Sequence, residues 1–278
     1  MEAAAVVLAG GRSSRMGTPK AALDWHGSTL LYRTTALLVR TVAGPVVVVR
    51  APDQELPELP REVLVVDDPV SGRGPLQGIA AGLAAAEGAS VAFVSSTDMP
   101  FLHPRFVIRV LGAIDPDTDV ALPLARGYRQ PLAAGYRTAL APLLAELVDA
   151  GARKPGMLFE HCRVRELRDA DLLADRALAA VDPELESVLN LNSPEDYTAA
   201  RARPAPEITV ERYGPLFRGG PRAVRVRAAT LGAAAAATGV ELDPYVVAAL
   251  NGDRISRDLH LPLVAGDTVA FVSADAGG

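Results

Sequence analysis

The sequence predicts an α/β protein with a mostly parallel sheet and helices on both faces, followed by a small α+β domain. Three observations carry this. The apolar runs AAAVVL (3–8), PVVVV (45–49), EVLVV (62–66) and SVAFVS (90–95) have strand length, are largely β-branched and lack polar alternation. Strands buried on both faces of a parallel sheet read this way. Between them, STLLYRTTALLVRTV (28–42) and LQGIAAGLAAAEG (76–88) have helical spacing, the second running to a glycine stop. Finally, RARPAPE (201–207) sets two prolines in a short polar stretch, as linkers do, and strands restart beyond it.

These features divide the chain into residues 1–200, a linker at 201–206 and a second domain at 207–278. The first domain continues with a helix at TALAPLLAELVDAG (138–151) and a mixed region up to YTAAR (197–201). The second has strands at ITVERY (208–213) and AVRVRA (223–228), then an alanine-rich helix at TLGAAAAATG (230–239). VVAALNG (246–252) and DTVAFVSA (267–274) complete a sheet that wraps this one helix. In open α/β sheets ligands bind beyond the carboxyl ends of the strands, so the loops after residues 8, 66 and 95 are the places to search.

Composition excludes several classes. The 278 residues are 49% hydrophobic and carry a formal net charge of −5, which speaks for packed domains and against a general nucleic-acid binder. The single cysteine, Cys162, permits no intrachain disulfide and no cysteine zinc site; beside His161 it reads as an inert thiol rather than a nucleophile. No charged-then-apolar leader and no apolar run of ~18 residues is present, so a cytoplasmic protein without a membrane partner is expected.

The first loop reads LAGGRSSRMG (8–17), with Lys20 shortly after. Glycines let backbone amides approach phosphate oxygens, and Arg15 and Lys20 add cations, so the loop suggests a phosphate-bearing ligand. The Walker A spacing fails, because Thr18 and Pro19 separate Gly17 from Lys20, and G-x-G-x-x-G fails because Gly10 and Gly11 are adjacent. The second loop, DDPVSGRGPLQGI (67–79), brackets a helix start between Gly74 and Gly78, where backbone donors are free. Asp68 is a candidate acceptor for base or ribose donors, although Asp67 and Asp68 could equally begin a turn before Pro69. The third loop, SSTDMPFL (95–102), ends an apolar strand in Asp98, and a carboxylate at a strand's carboxyl end is more often functional than structural in this architecture. In VLNLNSPEDY (188–197), alternation places Asn190 and Asn192 on one face, and Ser193-Pro194 is also a good helix start.

Together these segments resemble, in order, the nucleotidyltransferases of the molybdenum cofactor guanylyltransferase family. The resemblance implies a Rossmann-like three-layer sandwich and Mg²⁺-dependent transfer of GMP from GTP to molybdopterin or Mo-molybdopterin. It implies nucleotide contacts at Leu8, Ala9, Gly10, Gly11, Lys20, Asp68, Gly74, Gly78 and Asp98. Arg15, Lys20 and Asp98 would be catalytic, with Asp98 on the metal. Asn190, Asn192, Arg153 and Lys154 would serve the acceptor phosphate, the last two being equally readable as exposed cations. RGYRQPLAAGY (126–136) lies where the acceptor would bind. Thr18-Pro19 departs from the aspartate common in guanylyltransferases, and proline there is familiar in related cytidylyltransferases. Leu-Ala-Gly-Gly, against their Leu-Ala-Ala-Gly, favours guanine.

ITVERYGPLF, the segment from Asn251-Gly252 to Gly266-Asp267, and Gly277-Gly278 resemble the ubiquitin-like (β-grasp) sulfur carriers, in particular the small subunit of molybdopterin synthase. The resemblance implies a carboxyl-terminal thiocarboxylate, an E1-like adenylating enzyme and the molybdopterin synthase large subunit as partners. The two prolines usual before the glycines are replaced by Ser273-Ala274-Asp275. Alternative readings are a cytidylyltransferase acting on the same cofactor, or a first domain without catalysis in a protein that only carries sulfur.

Overall fold

A computed structural model describes residues 2–10, 19–70, 72–213, 216 and 221–273. The chain forms two compact units, Met1–Leu23 with Thr29–Asp196, and Asp24–Ser28 with Tyr197–Gly278. Among the described residues no helix is long and apolar enough to cross a membrane.

In chain order the elements up to Arg201, of which residues 24–28 and 197–201 belong to the second unit, begin with β1 (Ala3–Leu8). The short strands β2 (Asp24–Trp25) and β3 (Ser28–Thr29) follow, joined through His26-Gly27, where φ is 52° and 93°. Two left-handed central residues give the twist a tight hairpin needs. Next come α1 (Leu30–Val39), β4 (Val46–Arg50), β5 (Val63–Asp67), α2 (Pro75–Ala85), β6 (Val91–Ser96) and α3 (Pro104–Leu111). The remainder is β7 (Val120–Ala125), β8 (Tyr128–Arg129), β9 (Ala133–Arg137), α4 (Ala141–Asp149), β10 (Val164–Arg168), α5 (Asp169–Leu173), α6 (Arg176–Val181) and α7 (Pro194–Arg201).

The main sheet has the order β10-β7-β9-β6-β1-β4-β5, with β8 paired to β7. β6, β1, β4 and β5 are mutually parallel, as are β10 and β7, whereas β9 runs antiparallel to both β6 and β7. Both faces of β1 are apolar: Ala5 and Val7 join one core with Leu31, Leu38, Phe93 and Phe106, and Ala4, Val6 and Leu8 join another with Leu76, Ile79 and Leu144. This is the three-layer arrangement that continuous Val/Ala runs dictate. α2 lies close against β1, since a Cβ on Gly82 would sit 2.2 Å from Val6 Cγ1 and one on Gly78 would sit 3.1 Å from Leu8 Cδ2.

Two expectations need correction. EVLVV does not lie buried on both faces: β5 is the sheet's last strand, and Leu64 and Val65 are exposed. A run with no polar alternation cannot distinguish an interior strand from an edge one. The second helix ends at Ala85 rather than at Gly88, which occupies the following turn with φ of 80°. The antiparallel insertion β8–β9 has no counterpart in the sequence pattern, because Pro123 interrupts β7 and β9 is built from Ala, Gly, Tyr and Arg.

The second unit contains β11 (Glu207–Arg212), β12 (Ala223–Arg227), α8 (Leu231–Thr238), β13 (Val246–Leu250), β14 (Arg254–Ser256) and β15 (Thr268–Ser273). Its sheet order is β12-β11-β15-β13-β14, with β15 parallel to β11 and all other pairs antiparallel. Leu231, Ala234 and Ala235 pack with Val210, Val269 and Phe271, so the alanine run is a helix lying close on the sheet. Asn251 and Gly252, with φ of 53° and 86°, turn β13 into β14. The Asn251 amide donates to Asp267 Oδ1 at 2.9 Å, and buried Asp267 accepts from Val264 N at 2.8 Å.

Candidate functional site

Parallel register brings four strand ends into line. Leu8 of β1 lies beside Ser96 of β6 and Val49 of β4, and Val49 beside Val66 of β5. The loops leaving these ends therefore share one edge of the sheet, where an α/β sheet binds its ligand.

Lys20 and Asp98 meet there, 78 residues apart in sequence. Lys20 Nζ donates to Asp98 Oδ2 at 2.8 Å, and the Ser96 hydroxyl donates to Oδ1 at 2.5 Å. Both charged side chains keep 19% of their surface exposed, enough to reach a ligand while remaining oriented. Among the described residues no three His, Cys, Asp or Glu side chains gather as a metal cluster. Gly10 fits tightly: a Cβ would stand 3.2 Å from Ala51 N. The neighbouring Ala9 carbonyl accepts from Gln54 Nε2 at 3.0 Å, which ties the first loop to the one after β4. Gly11 and Arg15 lie outside the described residues.

The structure separates the two aspartates of the second loop. Asp67 takes the Arg50 guanidinium at 2.7 Å, whereas Asp68 Oδ1 accepts from Gln77 Nε2. Gln77 is buried in α2 and also donates to Val70 O at 2.8 Å, so one amide shapes the loop and aims Asp68. Gly74 caps α2 with φ of 88°, and a Cβ there would be 2.7 Å from Arg153 O. That carbonyl accepts from Leu76 N at 3.3 Å, so one of the donors expected to be free at this helix start is engaged. Gly78 faces Leu8 inside the core, which gives both residues a packing contact at the site's floor.

Asn190 and Asn192 are exposed while Leu191 between them is buried, the alternation expected of an extended segment. Leu191 N donates to the Asp98 carbonyl at 2.9 Å, which lays the asparagine pair along the Asp98 loop. Upstream, buried Asp182 accepts from Glu186 N at 2.6 Å and Ser187 N at 3.0 Å, fixing the approach. Downstream, Ser193 Oγ accepts from Asp196 N at 3.1 Å while Asp196 Oδ2 accepts from Ser193 N at 2.9 Å, so the helix-start reading of this segment also holds. The Asn192 and Ser193 amides, with the Lys20 charge, hold the Asp196 carboxyl below its ordinary value.

A cavity of about 800 Å³ opens beside the asparagines, lined by Arg126, Tyr128, Arg129 and Gln130 from the β7–β9 insertion and by Leu185, Val188, Asn190 and Asn192. Arg153 and Lys154 do not line it. Arg153 stands at the start of α2 beside Gly74. Burial pushes the Cys162 thiol up to about 11, and it donates to Leu158 O at 3.4 Å, as suits an inert thiol.

A mixed sheet with helices on both faces and a lysine–carboxylate pair beyond the ends of its central strands suits a nucleotidyltransferase, and comparison with known proteins shows that class. The chain belongs to the MobA-like NTP transferase family, whose domain model matches residues 5–165. A probable molybdenum cofactor guanylyltransferase of Mycolicibacterium paratuberculosis is 38% identical over 216 residues, spanning 73% of this chain and 98% of the relative. One from Bacillus cytotoxicus is 32% identical over 164 residues, spanning 58% of this chain and 82% of the relative. Among solved structures, molybdopterin-guanine dinucleotide biosynthesis protein A of Archaeoglobus fulgidus gives a TM-score of 0.58 at 24% identity, over 71% of this chain and 96% of that one. The 2-C-methyl-D-erythritol 4-phosphate cytidylyltransferase of Thermus thermophilus gives 0.51 at 21% identity, over 71% of this chain and 96% of that one. At these identities the two structures speak for the fold alone.

Proposed function

We propose that the first unit transfers GMP from GTP to the terminal phosphate of molybdopterin or its molybdenum-loaded form, with Mg²⁺, completing a dinucleotide cofactor. The observation that carries this reading is the Lys20–Asp98 pair, with the Asn190–Asn192 segment hydrogen-bonded to the Asp98 backbone and an open cavity beside it. The names of the sequence relatives support guanine and molybdopterin as the two substrates.

In this reading Gly10 and Gly11 admit the triphosphate to the loop backbone, and Arg15 and Lys20 balance its charge. Asp68, aimed by Gln77, accepts from the N–H donors on the pairing edge of guanine. Gly74 holds the turn of that loop, and Leu8, Ala9 and Gly78 form the floor beneath it. Asn190 and Asn192 face the incoming phosphate, with the rest of the acceptor in the cavity. An acceptor phosphate is already ionised, so no general base is needed. Its oxygen attacks the α-phosphorus, the bond from α-phosphorus to the bridging oxygen breaks, and pyrophosphate leaves with that bond's electrons. The protein's contribution is positioning and charge balance.

The residues fit Mg²⁺: Asp98 is a hard, partly exposed oxygen donor oriented by Ser96, and phosphate oxygens and water complete the set such an ion takes. When bound, the ion would neutralise phosphate charge. The reading is tested by incubating the chain with molybdopterin, Mg²⁺ and each of the four nucleoside triphosphates and measuring pyrophosphate. GTP should be the productive donor; productive transfer from CTP instead would make the chain a cytidylyltransferase.

For the second unit we infer a ubiquitin-like sulfur carrier. Its sheet order, with β15 between β11 and β13 over a single helix, supports this, as does the Asn251–Asp267 link that closes it. Gly277 and Gly278, outside the described residues, would present the thiocarboxylate to an E1-like adenylating enzyme and the synthase large subunit. Deleting both glycines should abolish adenylation and leave nucleotide transfer unchanged. Adenylation of the shortened chain at its carboxyl terminus would remove the carrier reading.

A further inference from the structure

We propose that Arg33, a buried arginine of α1, is a positioning residue for Asp98 and sets the affinity of the site for its divalent cation. The inference rests on the nucleotidyltransferase reading of Asp98 given above and concerns a residue that makes no contact with the reacting atoms in that reading.

Arg33 is only 6% exposed, on a helix where Leu30, Leu31, Leu37 and Leu38 are also buried. A guanidinium is costly to remove from water and persists inside a protein when its donors meet fixed acceptors. Arg33 Nε donates to the carbonyl of Pro100 at 2.8 Å, across 67 residues of sequence. Pro100 is itself buried and has no N–H, so its carbonyl is the one backbone group by which the loop can be hydrogen-bonded there.

Pro100 lies two residues beyond Asp98 in a tight turn that Leu102 N closes onto Met99 O at 3.2 Å. The loop is therefore held at three successive points. Ser96 orients the Asp98 carboxylate, Leu191 N holds the Asp98 carbonyl, and Arg33 holds the Pro100 carbonyl. The first two belong to the strand end and to the asparagine segment. The third comes from α1, and while the charged Lys20 engages the Asp98 carboxylate itself, Arg33 is a charged group that holds the loop's backbone.

Without Arg33 the Pro100 carbonyl would seek another donor, and the turn carrying Asp98 would shift or sample more positions. Among the described residues no group of three or more His, Cys, Asp or Glu surrounds Asp98 to compensate for its displacement. Cation affinity should therefore fall while the nucleotide's metal-independent contacts persist. Groups that orient metal ligands are commonly worth about 10- to 100-fold in metal affinity.

The test uses the full chain and Mn²⁺ as the probe, its binding in the presence of GTP followed by electron paramagnetic resonance. Arg33→Met should weaken Mn²⁺ binding about 10-fold, leave GTP binding in excess chelator unchanged, and raise the Mg²⁺ concentration for half-maximal transfer more than it lowers the saturated rate. Arg33→Lys keeps a donor on a stem of different reach, and should show a smaller loss of about 3-fold, a partial rescue. A purely structural arginine would lower the unfolding temperature and leave Mn²⁺ affinity alone, which would overturn the proposal. Should Arg33→Met fail to fold, Arg33→Lys decides alone, and wild-type Mn²⁺ affinity in that variant would overturn it too. A wild-type chain that takes up no Mn²⁺ with GTP would overturn the reading of Asp98 together with this inference, whereas normal uptake with unchanged variants would overturn only the inference.

Discussion

The main sheet carries acidic side chains at both of its ends, and they are handled differently. At the amino ends of β7 and β10, Asp119 receives Arg163 through its backbone N–H, Nε and Nη2 at 2.9, 3.0 and 2.8 Å. Arg137 donates to Asp115 O and Thr118 O nearby, and Arg165 pairs with Asp115 at 3.2 Å. Every guanidinium there is turned toward neighbouring loops of the same sheet end. At the carboxyl ends of β5 and β6, Asp98 and Asp68 are held by fewer side chains: Lys20 and Ser96 on Asp98, Gln77 on Asp68. A charge saturated by local partners serves the fold, and a charge oriented but not saturated can serve a ligand.

This contrast can be broken most forcefully at Asp98. Asp98→Asn should reduce Mg²⁺-dependent transfer roughly 10²- to 10³-fold with an unchanged circular dichroism spectrum. Near-normal transfer would place Asp98 with the structural acids instead. Next in size, Lys20→Ala removes one charge-assisted contact, and displacement of a fluorescent GTP analogue should show binding weakened by about 10- to 100-fold. Unchanged affinity would mean that Lys20 serves only to neutralise Asp98.

Gln77→Leu should have a milder and more selective effect. It frees the Asp68 loop, so the preference for GTP over CTP should narrow by about fivefold, one ordinary hydrogen bond, while the saturated rate with GTP changes less. Equal losses for both nucleotides would assign Asp68 to the ribose or to the turn rather than to the base.

The smallest effect belongs to the opposite end. The Arg163 hydrogen bonds lower the Asp119 carboxyl from 3.8 to about 2. A carboxyl depressed in the folded state stabilises at pH values above its unfolded value, so this contribution is complete above about pH 4 and is lost as the pH falls through about 2. Arg163 is more than half exposed, which keeps the pair to about 1 kcal/mol or less. Denaturant unfolding should therefore show Asp119→Asn slightly destabilised at neutral pH, converging on the wild type at the acid end, with transfer unaffected.

What was legible in the sequence follows the same division. The parallel strands could be read because Val and Ala fill both of their faces, but this same uniformity concealed that β5 is an edge. The β7–β9 insertion left no periodic trace, and only the resemblance pointed to its segment 126–136, whose Arg126, Tyr128 and Arg129 line the cavity. Lys20 and Asp98 could be singled out because their residue types sit in short motifs after strands, and Asn190 and Asn192 because they alternate just before a helix start. Gln54, Gln77 and Arg33 were not: each is a common residue in an ordinary loop or helix, and its role arises from a partner 45, 9 or 67 positions away.

The central claim is that a guanine nucleotide and its cation bind at the carboxyl ends of β1, β5 and β6 around Asp98. Calorimetric titration of the wild-type chain and of Asp98→Asn with GTP and CTP, each with and without Mg²⁺, tests it directly. The wild type should bind GTP at least about 10-fold more tightly than CTP, with affinity that rises on adding Mg²⁺, and Asp98→Asn should lose that rise. A preference for CTP, or a Mg²⁺ response that survives in Asp98→Asn, would contradict it.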